Sequence, residues 1–399
     1  MQQNTRQGAV SPTAWMILAV IFFSGLAAPL NQFKAPPVLQ EVTQALGVTL
    51  GAGGWLMAVF SMIGMALALP SGFILGRLGV KRSGLLALTC LLMGCLCGAL
   101  AQSMGAMLLS RILEGMGMCL MSIVAPTALA AWFPPERRGL AMGVWGTWVP
   151  FSSILAFAAA GTITSLFGWR GMWWVSLVYT ALVSAMFFLL FRMPEKSASP
   201  ESPSSGIRRE WEGMRAVLQK ADPWRLAISF ACYNALIVAL ISFMTPYLMQ
   251  ERGFTSDEAR FWVTCLIVVN MLAVLGGGLL SDALATRKKC ILASHGVLAL
   301  VMLFYFQPGH NVVAVMLLVA GVSGLVVTPS LSAAPEVVRR PEDAGRALSI
   351  LAVGTNGGMF FGPATYGMIV DSAGWHATVW FSVPVMILGF IAAWGLKVR

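Results

Sequence analysis

Apolar runs of about twenty residues recur along the whole chain, and they restrict its fold more than any other feature. The hydrocarbon core of a bilayer is about 30 Å thick, and a helix of about 20 residues crosses it. The runs are continuous, whereas the strands of an outer-membrane β-barrel alternate apolar and polar residues. We therefore expect an all-α integral membrane protein with twelve transmembrane helices, at residues 14–38, 53–76, 84–102, 106–132, 140–165, 170–192, 225–249, 257–281, 290–306, 312–334, 346–370 and 375–396.

The composition excludes several classes of protein. Charged residues make up only 11% of the chain and hydrophobic residues 58%, too few charges for the surface of a soluble enzyme or a nucleic-acid-binding protein. The seven cysteines lie in or beside apolar runs and lack the spacing of a zinc or redox site. The sequence also has no phosphate-binding glycine loop and no catalytic constellation. We expect no enzymatic activity, no metal and no cofactor.

The positions of lysine and arginine predict the orientation in the membrane. If the N-terminus is cytoplasmic, 21 of the 26 basic residues lie in cytoplasmic segments and only Arg170, Arg252 and Arg260 at outer ends. An excess of basic residues on the cytoplasmic side is the usual determinant of membrane topology. We expect a multi-pass protein of a prokaryotic inner membrane with both termini in the cytoplasm. The net charge of +10 then requires no nucleic-acid partner.

The chain repeats itself at an offset of 206 residues. This register pairs Gly72 with Gly278, and it places Gly168-Trp169 on Gly374-Trp375. We expect two six-helix halves in parallel repetition, at residues 1–192 and 225–399, with the substrate bound at their shared interface. Residues 193–224 join the halves as a Pro/Ser-rich cytoplasmic linker. At its end the apolar spacing predicts a short amphipathic helix, which lies on the membrane surface or is simply exposed.

Several motifs identify the family. The loop 72-GFILGRLGVKR-82 and its counterpart 278-GLLSDALATRKK-289 are similar to the glycine–acid–basic loop motif of the major facilitator superfamily of secondary transporters. The fourth span carries 111-RILEGMG-117, similar to the Arg-x-x-x-Gly-x-Gly motif of that family. The sixth and twelfth spans open with 168-GWRGMWW-174 and 374-GWHATVW-380. The sequence resembles this superfamily over essentially its whole length.

The resemblance implies a carrier that works by alternating access, with gating loops at Gly72, Arg77, Gly278 and Asp282. The family usually has an acid in the first loop motif where Gly76 stands here, and only Asp282 keeps it. In the family this acid helps to latch the halves together on the cytoplasmic side. A weaker resemblance, in 30-LNQFKAPPVL-39, is to the anion-transporting branch that contains cyanate-permease-like and organic-anion carriers. In the eleventh span, 354-GTNGGMFFGP-363 partly resembles the glycine/asparagine signature of nitrate and nitrite carriers, but the fifth span lacks that pattern, which disfavours nitrate.

Apart from the basic residues assigned to the ends and loops, Lys34 and Arg111 remain inside the predicted spans, and each is a functional hypothesis because an isolated charge in lipid is costly. Lys34 lies in the outer half of the first span, one turn after Asn31. Its ammonium group either holds an anionic substrate with help from Asn31 or extends to the outer headgroups. Arg111 and Glu114 share a helix face and can pair. They form a structural ion pair, or Arg111 binds the substrate anion, or Glu114 takes up a proton when Arg111 turns to the substrate.

Further polar and aromatic side chains lie in the middle of spans. Such groups face a cavity or another helix, so each is either a substrate contact or an interhelical hydrogen bond. An aromatic pair in the fifth span, Trp145 with Trp148, walls an organic substrate or packs against its neighbours. The candidate substrate-binding residues are Lys34, Asn31, Arg111, Tyr233, Asn234, Asn270, Asn356 and Trp148.

The sequence thus predicts a secondary transporter for a small anion such as a monocarboxylate, coupled to a proton or to a counter-anion. We expect it to act as a monomer in the bilayer. Two alternatives have the same fold: a multidrug exporter, which would favour an acidic or neutral apolar pocket, and a non-transporting membrane sensor, which usually carries an output domain.

Overall fold

The computed structural model describes residues 11–68, 70–194, 214–283, 287–306, 311–338 and 343–397, and helices with short connections between them make up these ranges, without a β-strand. The prediction of an all-α membrane protein is therefore confirmed. In chain order the helices are α1 Pro12–Phe33, α2 Leu39–Ala45, α3 Leu50–Leu67, α4 Pro70–Ala99, α5 Met104–Trp132, α6 Pro135–Gly146, α7 Trp148–Phe167, α8 Gly171–Leu190, α9 Ala221–Arg252, α10 Ser256–Ala283, α11 Arg287–Met302, α12 Val312–Ala333, α13 Ala344–Ala373 and α14 Val379–Trp394. Short 3₁₀ turns at Pro36–Val38 and Trp375–Thr378 precede α2 and α14.

Ten helical segments of the described residues are long and apolar enough to cross a membrane, one of them formed by α1 with α2 and another by part of α6 with α7. The ninth and eleventh predicted spans correspond to α11 and α13, which are not among the ten. Helix α11 has only 16 residues and begins with three cations, and α13 contains six glycines besides Thr355 and Asn356. The count of twelve membrane helices stays a prediction.

Capping residues set many of the helix ends. The side chains of Ser11, Ser103 and Asn311 accept hydrogen bonds from the first free N–H groups of α1, α5 and α12. At the other end, Gly168 and Gly374 stop α7 and α13 with nearly the same backbone angles, φ 65° and ψ −177° against φ 79° and ψ 178°. A positive φ of this kind favours glycine. The two positions paired by the sequence repeat thus have the same local structure.

The chain forms two compact units. The first comprises the described parts of residues 1–35 and 66–200, and the second those of 36–65 and 201–399. The first unit contains α1 and α4 to α8, with its core between α1, α4, α5 and α8. The second contains α9 to α14, together with α2 and almost all of α3. The predicted division into duplicated halves at residues 192 and 225 stays a prediction.

A row of glycines in α13 determines how the second unit packs. A Cβ added at Gly354, Gly358 or Gly362 would overlap a carbonyl oxygen of α9. These carbonyls belong to Ala227, Ala231 and Ala235, which have the same four-residue spacing. Small residues let two membrane helices approach until their backbones touch. The row therefore holds α13 directly against α9, the most buried of the ten spans.

Helix α3 packs on α13 as part of the second unit. A Cβ at Gly51 or Gly54 would overlap backbone or side-chain atoms of α13. Asp371 of α13 accepts a hydrogen bond from the N–H of Gly51, at 2.9 Å between Oδ1 and N. A carboxylate is favourable at this end of a helix because the first N–H groups are otherwise unpaired.

The short segment before α3 is held to the same unit by Arg260 of α10. Its guanidinium donates to the carbonyl oxygen of Pro37 at 2.9 Å and pairs with the carboxylate of Glu41. Asp257, one turn earlier on α10, lies 3.4 Å from the same guanidinium. Residues 36–65 are thereby attached to the second unit at several points.

Candidate substrate site

Three charged side chains meet inside the first unit. The ammonium of Lys34 lies 2.7 Å from Oε1 of Glu114, and Nη1 of Arg111 lies 2.5 Å from Oε2 of the same carboxylate. The exposed fraction is 1% for Lys34 and 0% for Arg111 and Glu114. The pairing of Arg111 with Glu114 that their spacing predicts is present. Lys34 does not extend to the headgroups, because its ammonium is buried against the same carboxylate.

The end of α1 explains why Arg111 is held there. In a continuing helix the carbonyl of Gln32 would accept from the N–H of residue 36, but residue 36 is a proline and has no N–H. Arg111 supplies a donor instead, with Nη2 at 3.1 Å from the Gln32 oxygen and Nη1 at 2.6 Å from the Asn31 oxygen. Pro36 thus leaves the Gln32 carbonyl without its helical donor, and the buried guanidinium satisfies this acceptor.

Asn31 links the lysine to its surroundings. Its amide nitrogen donates to the Ala27 carbonyl at 2.7 Å, which fixes the amide orientation. Its Oδ1 then accepts from Nζ of Lys34 at 2.5 Å and from Sγ of Cys95 at 2.9 Å. The predicted association of Asn31 with Lys34 is therefore an intramolecular hydrogen bond in this conformation.

Two glycines of α4 make room for the carboxylate. A Cβ at Gly94 would lie 2.5 Å from Cγ of Glu114, and one at Gly98 would lie 2.6 Å from Oγ of Ser110. Ser110 in turn donates to the Gly94 carbonyl at 2.7 Å and lies 3.3 Å from Oε1 of Glu114. The contact of α4 with α5 at these glycines places Glu114 between the two cations.

Trp173 of α8 completes the group, which we call the charged cluster: Asn31, Lys34, Cys95, Ser110, Arg111, Glu114 and Trp173. The Lys34 ammonium lies 5.0 Å from the centroid of the Trp173 ring, a cation–π contact. The indole Nε1–H of Trp173 is fully buried and has no hydrogen-bond partner. A Cβ at Gly98 would overlap this nitrogen, so the indole points to the same place as Ser110.

The cluster has more donors than acceptors and more positive charge than negative. Two cations share one carboxylate, so the three charged side chains carry a net charge of +1. Burying charge without full compensation costs several kcal/mol, and an unpaired buried donor about 1–3 kcal/mol. The arrangement suits a ligand that supplies acceptors and negative charge. All three charged groups are sealed in this conformation, so a ligand reaches them only if the unit opens.

The other sequence-predicted residues lie elsewhere. In the first unit, Trp148 stacks on Trp145 with ring centroids 4.1 Å apart. A Cβ at Gly25 of α1 would lie 2.6 Å from a ring atom of Trp145, so the pair packs against α1. The pair is less than 10% exposed and lies in the same unit as the charged cluster.

Four candidate residues lie in the second unit. Nδ2 of Asn270 donates to Oγ of Ser323 at 2.8 Å, which links α10 to α12. Asn234 and Asn356 donate to the carbonyls of Phe230 and Ala352 within their own helices. Tyr233 is buried and stacks on Phe230 at 5.5 Å between centroids. Here the polar groups mainly satisfy helix contacts, and half-buried Asn356 lies where α3 meets α13, beside Gly64.

The four loop-motif residues all lie on helices. Gly72 and Arg77 are exposed on α4. Gly278 and Asp282 lie on α10, but the surroundings of both residues are outside the described part of the structure. The role of Asp282 therefore stays a prediction. The predicted amphipathic helix is described only from Met214, where residues 214–218 are helical and Val217 is buried.

Sequence reasoning did not identify Cys95, Ser110 or Trp173. The sequence does contain a signal beside Cys95 and another at Trp173. Gly94 and Gly98 are spaced four apart on α4, which marks the face that approaches another helix. Trp173 lies within the aromatic motif 168-GWRGMWW-174 that identified the family.

Several bacterial proteins are similar to this chain in sequence. The chain is 23% identical to the hexuronate transporter of Bacillus subtilis over 388 residues, which is 90% of this chain and 89% of that protein. It is also 23% identical to a methylenomycin A resistance protein of Streptomyces coelicolor, covering 90% of this chain and 87% of that protein. A third relative, the uncharacterized MFS-type transporter YhcA of Bacillus subtilis, is 23% identical, and the chain spans 59% of its length.

A solved structure shows the same fold. It is that of a bacterial homolog of the human lysosomal transporter Spinster, with a TM-score of 0.77 at 18% identity over 96% of both chains. The family model described as Major Facilitator Superfamily matches residues 17–339 and 226–399, nearly the whole chain. The chain therefore belongs to the major facilitator superfamily, whose members are transporters and not enzymes.

Proposed function

We propose that the protein is a secondary transporter that moves a small organic anion across the cytoplasmic membrane by alternating access. The observation that supports this most directly is the net positive, donor-rich charged cluster around Glu114. Lys34 and Arg111 would bind the carboxylate of the substrate, and the Trp173 N–H would donate a further hydrogen bond. Both termini would be cytoplasmic, as the distribution of basic residues predicts.

The sealed cluster also supports a coupling mechanism. A substrate carboxylate that enters the cluster competes with Glu114 for the same two cations. A buried carboxylate that loses its cations is stabilised by taking up a proton. Substrate binding would therefore favour proton uptake by Glu114, which is symport of the anion with a proton. Exchange against a second anion is the alternative if Glu114 stays ionised throughout.

The organic-anion branch is supported by the hexuronate transporter among the relatives, since a hexuronate carries a carboxylate. The match extends over most of both chains. Hexuronate and smaller monocarboxylates are therefore the first substrates to test.

Uptake into proteoliposomes tests the proposal. The variant Lys34→Met removes one cation and leaves Glu114 paired with Arg111, so it lowers the net charge of the cluster from +1 to zero. We expect at least a tenfold loss of organic-anion uptake, whereas Lys397→Met, at an exposed lysine of the second unit, retains it. Wild-type uptake by the Lys34→Met variant would exclude the cluster as the anion site.

A multidrug exporter is the second candidate. The stacked Trp145–Trp148 pair would wall a flat lipophilic molecule, and a methylenomycin A resistance protein is among the relatives. Thermal unfolding of the purified protein with organic anions or with cationic dyes distinguishes the two, because a ligand stabilises the folded state to which it binds. Stabilisation by dyes alone would favour the exporter.

A further inference from the structure

A second group of cations lies at one end of the first unit, outside the charged cluster. Lys81 and Arg82 lie just after Gly79, where φ is 74° and α4 bends sharply. Arg192 follows the end of α8 by two residues. The Lys81 ammonium lies 5.7 Å from the ring centroid of Phe188 on α8, so the bend of α4 lies beside the last turn of α8. We call Lys81, Arg82 and Arg192 the basic cluster.

A third helix ends at the same place. Trp132, the last residue of α5, donates its indole N–H to the carbonyl of Arg192 at 2.9 Å. Tryptophan is enriched at the membrane–water interface, where its ring is in the apolar zone and its N–H in the polar one. The basic cluster is thus at headgroup depth, on the side that the proposed orientation assigns to the cytoplasm.

The cations of the basic cluster make no ion pair with any carboxylate in the described part of the chain. Arg82 and Arg192 are exposed, and Lys81 is half-buried. In the first sequence repeat, moreover, the loop carries Gly76 where the second has an acid, so no carboxylate precedes the basic residues there. Their positive charge is therefore available to an external anion.

The surface beside the cluster is apolar. Phe188 and Leu189 of α8 are 59% and 65% exposed, and Leu86, one turn after Arg82 on α4, is also exposed. A ligand on this surface must carry an anionic group joined to hydrocarbon. We propose that the basic cluster binds the phosphate of an anionic phospholipid, with the acyl chains lying along Leu86, Phe188 and Leu189.

Phosphatidylglycerol is a suitable probe, because its headgroup carries one negative charge. Each basic residue near a membrane surface strengthens binding of anionic lipid about fivefold, so loss of all three weakens it by about 100-fold. The triple variant Lys81→Gln/Arg82→Gln/Arg192→Gln removes the site. The triple variant Arg215→Gln/Lys289→Gln/Lys397→Gln is the control, since it removes three exposed cations of the second unit.

The experiment titrates phosphatidylglycerol into purified full-length protein in phosphatidylcholine nanodiscs. Retained lipid is counted by native mass spectrometry, and thermal unfolding is followed in parallel. We expect tight phosphatidylglycerol binding by the wild type and the control, and about 100-fold weaker binding by the cluster variant. Equal unfolding temperatures in pure phosphatidylcholine would show that all three proteins fold.

Two results would overturn the proposal. If the control loses phosphatidylglycerol as strongly as the cluster variant, the binding follows net charge and no site exists. If inorganic phosphate stabilises the wild type as much as the lipid does, the cluster takes a free anion instead of a phospholipid.

Discussion

Glu114 is the residue on which the charged cluster depends, because both cations pair with its carboxylate. Glu114→Gln keeps the size of the side chain but leaves two buried cations without a counter-ion. Breaking a buried ion pair in this way costs about 3–5 kcal/mol. We expect a clearly lower unfolding temperature in detergent, and partial recovery in Lys34→Met/Glu114→Gln, which removes one of the two cations. A variant as stable as the wild type would show that the three charges do not interact as described.

The unpaired N–H of Trp173 gives a second prediction. Trp173→Phe keeps an aromatic ring next to Lys34 but removes the donor. The free protein should be no less stable, since an unpaired buried donor itself costs about 1–3 kcal/mol. Anion affinity should fall about tenfold or more, as expected for the loss of one hydrogen bond to a charged group. Equilibrium binding measures this, with Trp394→Phe at an exposed position as the control, and unchanged affinity would remove Trp173 from the site.

One contact of the charged cluster can be predicted from the sequence, and another cannot. Arg111 and Glu114 are three residues apart on one helix, so their pairing follows from helix geometry. Lys34 meets Glu114 across 80 residues of sequence, and that contact depends on how α1, α4 and α5 pack. Periodicity determines which face of a helix is apolar, but it does not determine which helix lies opposite.

At the scale of elements, the glycine row of α13 makes a sharp prediction possible. Gly357 and Gly358 are neighbours, yet a Cβ at Gly358 would overlap the Ala231 carbonyl, whereas one at Gly357 would have only Sδ of Met65 nearby, at 3.9 Å. Gly358→Ala should therefore force α13 away from α9 and destabilise the protein, by about 1–3 kcal/mol as for other overpacked positions. Gly357→Ala should be tolerated. Thermal unfolding of both variants tests this, and equal stability would contradict the close approach.

The start of α13 provides a prediction about pH. A hydrogen bond from Arg346 to Asp343, 2.6 Å long, lowers the pKa of the Asp343 carboxyl group, and the ammonium of Lys220 at 3.5 Å acts in the same direction. A lowered pKa means that the ionised form stabilises the fold. This contribution is complete above the pKa of an unfolded aspartate, about 3.9, and is lost as the pH falls through the lower pKa of the folded protein.

Asp343→Asn should accordingly unfold at a lower temperature than the wild type near pH 6. The difference should shrink as the pH falls below about 4. Unfolding temperatures measured from pH 3 to pH 6 test this, with Glu251→Gln as the control for removal of one exposed carboxylate. A difference that stays constant down to pH 3 would show that the ion pairs with Arg346 and Lys220 do not stabilise α13.

For the molecule as a whole, the sequence predicts the individual helices better than it predicts how the helices group into compact units. Long apolar runs predict membrane helices almost independently of context, and the repeat is visible again in the matching backbone of Gly168 and Gly374. The assignment of residues 36–65 to the second unit was not predictable. It arises from Gly51 against α13, from Asp371 at the start of α3, and from Arg260 against Glu41, contacts that join residues more than 200 positions apart.

Because α3 belongs to the second unit, the chain should not divide freely into two fragments. If the gene is divided within the region 195–213, the fragment that begins at residue 214 lacks α3, which packs against one side of α13. We expect that fragment, synthesised alone, to be degraded, and co-synthesis with residues 1–194 to rescue it, as immunoblotting of membranes would show. If the fragment accumulates at its full level when it is synthesised alone, its six helices fold stably without α3. Otherwise the C-terminal part of the chain depends for its stability on a helix that the N-terminal part encodes.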